Sequence, residues 1–229
     1  MTSLSSLEKS IGIKFNNQEL LQQSLIHRSY LNENPDSPLK DNERLEFLGD
    51  AVLEMVVTEH LYQKYPNPEG DLTNWRAALV NAKLLAQVAN RLGMNNYLFL
   101  SRGEAKDTGR ARQYILANAF EALIGAIYLD QGYEKACRFI EKEVLKELPK
   151  ILKQKLYRDP KSSFQEKAQD RFGITPVYEV VKEWGPDHAK HFVVGVYLNQ
   201  ELIAKGEGAS KQEAQEKAAQ AALEKKEWQ

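Results

Sequence analysis

Residues 115–130, ILANAFEALIGAIYLD, constrain the fold of this chain more than any other stretch. From Ile115 to Leu129 every position is apolar or small except Asn118 and Glu121. A helix that is hydrophobic almost all round has to be enclosed by lipid or by protein. The run is shorter than the roughly 18 to 20 residues that a bilayer span needs, and two polar groups on one face interrupt it. The expectation is a helix at the centre of a protein core.

A second segment, NERLEFLGDAVL (42–53), carries the complementary pattern. At about 100° per residue, Glu43, Glu46, Asp50 and Glu54 fall on one narrow helical face. Leu45, Phe47, Leu48, Ala51, Val52, Leu53, Met55, Val56 and Val57 fill the rest, which predicts a helix buried nearly all the way around. Ionised carboxylates in such surroundings need cations, hydrogen bonds or protons. If the two helices oppose their polar faces, Glu46, Asp50, Asn118 and Glu121 place oxygen ligands around one small cavity, suited to a hard cation such as Mg2+. Neither His nor Cys joins them, which disfavours zinc. Two other readings stay open. An acidic row at helical spacing also describes a solvated face, and a buried Asn–Glu hydrogen-bond network would explain the second pair without a metal.

The 229 residues suffice for one large domain or two small ones, and 42% hydrophobic content supports real cores. The opening MTSLSSLEKSIG has no apolar signal core and no segment reads as a membrane span, so a cytoplasmic protein with no membrane partner is expected. Cys137 is the only cysteine, in a setting that suggests helix packing. Lys and Arg number 31 against 32 Asp and Glu, a net charge of −1. Any nucleic acid would therefore have to be held by local clusters, not by a globally positive field.

Helical spacing runs from Ser5 to about Glu147, with breaks at 16–17, 32–40, 66–70 and 103–109. The charged stretch 146–163 reads as a helix end and linker, with a boundary near Tyr157. The expected division is a helical domain over 1–150, a linker over 151–160 and a second domain over 161–229. In the second domain a short helix (163–172) precedes the alternating runs VYEVVKEW (177–184), HFVVGVYL (191–198) and ELIAKGEG (201–208), which predict three strands. Asn199-Gln200 makes a tight hairpin, and 210–226 closes an α-β-β-β-α order with a helix whose Ala214, Ala218, Ala221 and Ala222 allow close approach to a sheet.

NERLEFLGDAVL closely resembles the signature of the ribonuclease III family, and ILANAFEALIGAIYLD its second catalytic segment. IHRSYLNE (26–33), GDLTNWRAALVN (70–81) and a terminal domain that looks like a double-stranded RNA-binding domain follow in the order that family uses. The resemblance implies an all-α endonuclease domain followed by a small α+β RNA-binding domain. It further implies a homodimer with Glu46, Asp50 and Glu121 as Mg2+ ligands, Mn2+ being able to substitute. Glu43 takes a supporting catalytic role near the subunit contact. Asn118 stands where Asp is usual, though Asn also occurs there in the family; an amide oxygen still ligates a hard cation but brings no charge.

By the same resemblance, Gln165 and Glu166 meet one minor groove of a duplex, the loop Gly185-Pro186-Asp187-His188 meets the next, and Lys211 and Lys217 meet the phosphates between. Read without the resemblance, GPDH is an ordinary turn and the last helix a solvated face. From Arg158 onward there are 11 basic and 12 acidic residues, so this module alone is expected to bind weakly and gain from pairing in a dimer. Arg76, Arg110 and Arg112 are further candidates for phosphate contact. The implied reaction is staggered hydrolysis of both strands of RNA in rRNA and mRNA processing, leaving 5′-phosphates, 3′-hydroxyls and 3′ overhangs. The alternative is a duplex-binding protein whose cleavage Asn118 has slowed or abolished. A single-domain maturase of one ribosomal precursor is disfavoured by the attached RNA-binding module.

Overall fold

The computed structural model describes residues 4–157, 159–186 and 190–228. The chain folds as two compact units, Met1–Tyr157 and Arg158–Gln229. The first is helical: α1 (Leu4–Ile11), α2 (Gln18–Ser24), α3 (Arg28–Glu33), α4 (Glu43–Lys64), α5 (Glu69–Val80), α6 (Ala82–Arg91), α7 (Arg102–Lys106), α8 (Arg110–Gln131), α9 (Tyr133–Glu143) and α10 (Leu148–Lys153). One isolated parallel bridge, Ile26 to Phe99, is the strand-like element of this unit among the described residues.

Central placement of α8 follows from its composition. Ile115, Leu116, Ala117, Ala119, Phe120 and every residue from Ala122 to Ile127 are buried, and α2, α4, α6 and α9 pack around it. Among the described residues no helix is long and apolar enough to cross a membrane. Where α4 crosses α8 the two backbones nearly touch. A Cβ built on Gly49 would stand 1.8 Å from the carbonyl oxygen of Glu121, and one on Gly125 would stand 2.3 Å from that of Leu45. Only glycine permits this approach. It brings the acids of α4 within reach of the polar pair on α8.

Burial of α4 is one-sided, contrary to the expectation of enclosure all round. Leu45, Gly49, Val52, Leu53, Val56, Val57 and Leu61 face the core. Phe47 is 83% exposed and Met55 59% exposed, with Ala51 between them also exposed. Positions 47, 51 and 55 repeat every four residues and so form a separate outward stripe. The sequence pattern records apolarity, whatever covers it, and a single copy of the chain leaves this face open.

Two expected breaks also differ in detail. Residues 102–106 form α7 instead of loop, capped by Ser101, whose hydroxyl accepts from the amide of Glu104. Ile151 is buried, and Tyr157 packs edge-on against Trp75 with ring centroids 5.9 Å apart, so part of the stretch expected as linker belongs to the first unit's core.

The second unit runs α11 (Pro160–Phe172), β1 (Val177–Trp184), β2 (His191–Leu198), β3 (Glu201–Gly208) and α12 (Lys211–Lys225). Its three strands form an antiparallel sheet in sequence order. Their limits coincide with the three alternating runs, and Asn199 takes the left-handed conformation (φ 55°) that the tight hairpin requires. The first helix begins three residues earlier than the expected Ser163, because Asp159 accepts from the amides of Lys161 and Ser162 and Pro160 occupies the first helical position. Ala214, Ala218, Ala219 and Ala222 are buried against the sheet, and Gly206 makes room for them: a Cβ there would lie 2.2 Å from the amide of Ala218. Trp228, beyond the last helix, seals this core by stacking on Phe164 at 5.2 Å.

Candidate active site

Glu46 and Asp50 extend from α4 one turn apart, and Asn118 and Glu121 extend from the facing turn of α8. The Asn118 amide donates a hydrogen bond to the Glu46 carboxylate. Burial first, then the neighbouring Glu43, push the Glu46 carboxyl above the ordinary range; that hydrogen bond opposes the rise and Asp50 adds to it. Glu121 is the more perturbed. Burial, followed by repulsion from Asp50, Glu46 and Glu54, raises its carboxyl from 4.5 to about 8. Three carboxylates thus act on a fourth, and the cluster holds a proton at neutral pH because it cannot hold all its charge. The set is all oxygen: carboxylates and one amide, the donors that suit hard divalent cations. Among the described residues no three His, Cys, Asp or Glu, Glu46, Asp50 and Glu121 included, come together as a group that could hold a metal ion.

Glu43 stands outside the cluster. Exposed at the first turn of α4, it pairs with Arg28 at 3.1 Å and acts on Glu46 through charge. Arg76 on α5 pairs with Glu54 at 3.1 Å and donates to the Thr58 hydroxyl at 3.1 Å. Arg110 is exposed and donates to the Tyr114 hydroxyl at 3.2 Å. The side chain of Arg112 turns away from solvent: Nε donates to the carbonyl of Asp107 and Nη2 to those of Glu104 and Ala105, while Nη1 is buried with no partner. That guanidinium caps the C-terminal carbonyls of α7, and its free donors are fewer than the sequence suggested.

In the second unit Gln165 and Glu166 are exposed on α11 and line a shallow polar groove with Ser162, Gln169 and Asp170. Lys211 is exposed, with Nζ 5.7 Å above the Phe192 ring, and Lys217 pairs with Glu213 at 2.8 Å. His188 lies outside the described residues. Sequence reasoning missed the Gly49–Gly125 crossing and the Glu54–Arg76 pair. Small residues one turn from the acids were the available signal for the crossing; nothing in the spacing joins Glu54 to Arg76.

Residues 17–148 match the family model described as ribonuclease-III-like, and residues 160–226 match the double-stranded RNA binding motif. Ribonuclease 3 of Nitratiruptor sp. is 44% identical over 224 residues, covering 97% of this chain and 96% of that protein. Ribonuclease 3 of Chloroflexus aggregans is 47% identical over 223 residues, covering 96% of each. The crystal structure of the ribonuclease III nuclease domain from Campylobacter jejuni, 42% identical, covers 62% of this chain and 96% of its own with a TM-score of 0.55. An endonuclease hydrolase joined to a duplex-RNA-binding module is the class these features define. The chain belongs to the ribonuclease III family.

Proposed function

We propose that this chain is a homodimeric, Mg2+-dependent endoribonuclease of double-stranded RNA, with Mn2+ able to replace Mg2+. Glu46, Asp50, Asn118 and Glu121 are its metal-binding residues and Glu43 a supporting one. Catalysis is assigned to residues 1–150 and duplex reading to residues 161–229. The observation that carries the reading is the close α4–α8 crossing that only Gly49 and Gly125 permit, which brings the acids of α4 up to Glu121; the crowding raises the Glu121 carboxyl in keeping with it. Bound there, a divalent cation would lower the pKa of water and offset charge developing on the phosphate. The protein's own contribution is geometric and protonic. Glu121 must release its proton to serve as a ligand, and Asn118 orients Glu46 by donating to it while leaving its amide oxygen available.

Duplex RNA exposes phosphates and 2′-hydroxyls along its shallow minor groove. Gln165, Glu166, His188, Lys211 and Lys217 are assigned to that surface in the second unit, and Arg76 and Arg110 to phosphates at the first. Arg112 is assigned to holding the C-terminal carbonyls of α7. Each of two sites in the dimer cuts one strand, leaving 5′-phosphate and 3′-hydroxyl ends with 3′ overhangs, in rRNA and mRNA processing in the cytoplasm.

The outward stripe of Phe47, Ala51 and Met55 supports the dimer. Beside Phe47 lies a groove lined by Leu20, Gln23, Lys40, Leu45, Leu48 and Leu129, so one α4 face offers both a protruding ring and a recess, as a two-fold interface requires. Phe47→Asp is therefore expected to give monomers at micromolar concentration in sedimentation velocity; an unchanged dimer would remove this face from the interface.

A long RNA duplex incubated with the unmodified chain, with and without Mg2+, tests the activity, with Asn118→Asp run alongside. Mg2+-dependent shortening by the unmodified chain is expected. Bound but intact RNA, cut only by Asn118→Asp, would overturn the proposal.

A further inference from the structure

Glu54 is the last acid of the α4 stripe, about 6 Å beyond Asp50 along the helix. Unlike Glu46 and Asp50, it carries an ion pair among the described residues: its Oε2 lies 3.1 Å from Nε of Arg76. Arg76 Nη1 also donates to Thr58 Oγ1 at 3.1 Å. Glu54 and Thr58 are one turn apart on α4, so two anchors on α4 fix the plane of a guanidinium that comes from α5. The ion pair lies at Nε and the hydrogen bond uses one Nη1 proton, so donors of the five-donor fork stay available to another acceptor. Arg76 belongs to the groove between α4 and α5, which Thr58, Tyr62, Asn67 and Thr73 also line. Both partners are only partly exposed, at 36% for Arg76 and 39% for Glu54, so the pair is not a freely solvated one.

An acidic cluster repels the polyanion it cuts, and a duplex strand crossing it needs a cation just beyond the cut. We propose that Arg76 grips a phosphate adjoining the scissile one and that Glu54 is its positioning residue. Glu54 aims Arg76; it is not a fifth oxygen ligand. This rests on the reading of Glu46, Asp50, Asn118 and Glu121 as the cleavage site.

Charge alone and positioning make opposite demands on Glu54. Were it only one more negative group near RNA, Glu54→Gln would tighten duplex binding. If it aims Arg76, Glu54→Gln weakens binding about threefold and lowers kcat about tenfold. Arg76→Ala weakens binding about five- to tenfold and makes the log–log salt dependence shallower by about one. The two changes together do no more than Arg76→Ala alone, since they break one unit. Arg76→Lys, which keeps the charge but loses the fork, restores the salt slope and not kcat.

Binding is measured on the full chain carrying Glu121→Gln, with a defined RNA duplex over a range of KCl concentrations. The kcat and KM values come from the corresponding variants with Glu121 intact. Tighter binding by Glu54→Gln, or additive effects of Glu54→Gln and Arg76→Ala, overturns the pairing. If the chain with all residues intact fails to cleave, the cleavage-site reading falls, while the binding arms still judge the Glu54–Arg76 unit. Circular dichroism melts identify a variant that has lost its fold, and Arg76→Lys then carries the test.

Discussion

Glu121→Gln is expected to lower cleavage of duplex RNA by at least about two to three orders of magnitude while leaving duplex affinity nearly unchanged. The same variant should become more stable than the unmodified chain in alkaline, metal-free buffer. Glu121 holds its proton up to about pH 8 in the folded protein against 4.5 in an open chain, because burial and then Asp50, Glu46 and Glu54 disfavour its charge. Of those three neighbours, Glu54 alone carries a basic partner, Arg76, among the described residues. A folded-state pKa that is raised contributes stability fully below the unfolded value, and that contribution is lost as pH rises from about 4.5 through about 8. Glutamine removes the titration and hence this slope. Thermal midpoints in chelator at pH 5 and pH 8.5 check it: the variant's advantage should appear at the higher pH. An advantage at pH 5 and none at pH 8.5 would reverse the sign and refute the assignment.

Gly49→Ala carries the second large effect. The added methyl would meet the Glu121 carbonyl oxygen at 1.8 Å and its carbon at 2.6 Å, both backbone atoms of a buried helix. Neither can rotate aside, so α4 has to move off α8. Such overpacking costs about 3 kcal/mol or more, since ordinary cases already cost about 1 to 3. Cleavage should suffer beyond that, because a shift of about 1 Å between catalytic groups costs on the order of 10²-fold. Urea denaturation and single-turnover cleavage measure the two losses. Gly70→Ala is the internal comparison, as nothing lies within 4 Å of a Cβ at that site and it should leave both quantities nearly unchanged. Equal behaviour of the two variants would mean that the close crossing does not govern the site.

The core helix and the second unit were legible in the sequence because their signals are local. Strand alternation fixed β1, β2 and β3 to the residue, and the apolar run 115–129 located the core helix α8. Four features were not legible, each for a physical reason. Phe47 and Met55 read as core because apolarity does not say whether a helix face meets its own chain or a partner. The five residues of α7 are too few to display a helical period. Arg112 read as a phosphate contact because guanidinium groups suit anions, yet suitability for an acceptor does not decide which acceptor is nearest. The turn from Asp107 to Gly109 folds the α7 carbonyls onto that side chain. Likewise the Glu54–Arg76 pair joins positions 22 residues apart and depends wholly on how α5 returns along α4.

Convergence of Glu46, Asp50, Asn118 and Glu121 on a divalent cation is tested most directly by adding Mn2+ to the RNA-free protein and following its thermal midpoint. Mn2+ serves because such sites bind it without demanding the strict geometry and dehydration that Mg2+ does. The midpoint should rise with Mn2+ at pH 8.5 in the unmodified chain, rise less at pH 6 where Glu121 keeps its proton, and stay flat in Glu121→Gln. Equal rises in both proteins at both pH values would contradict the account.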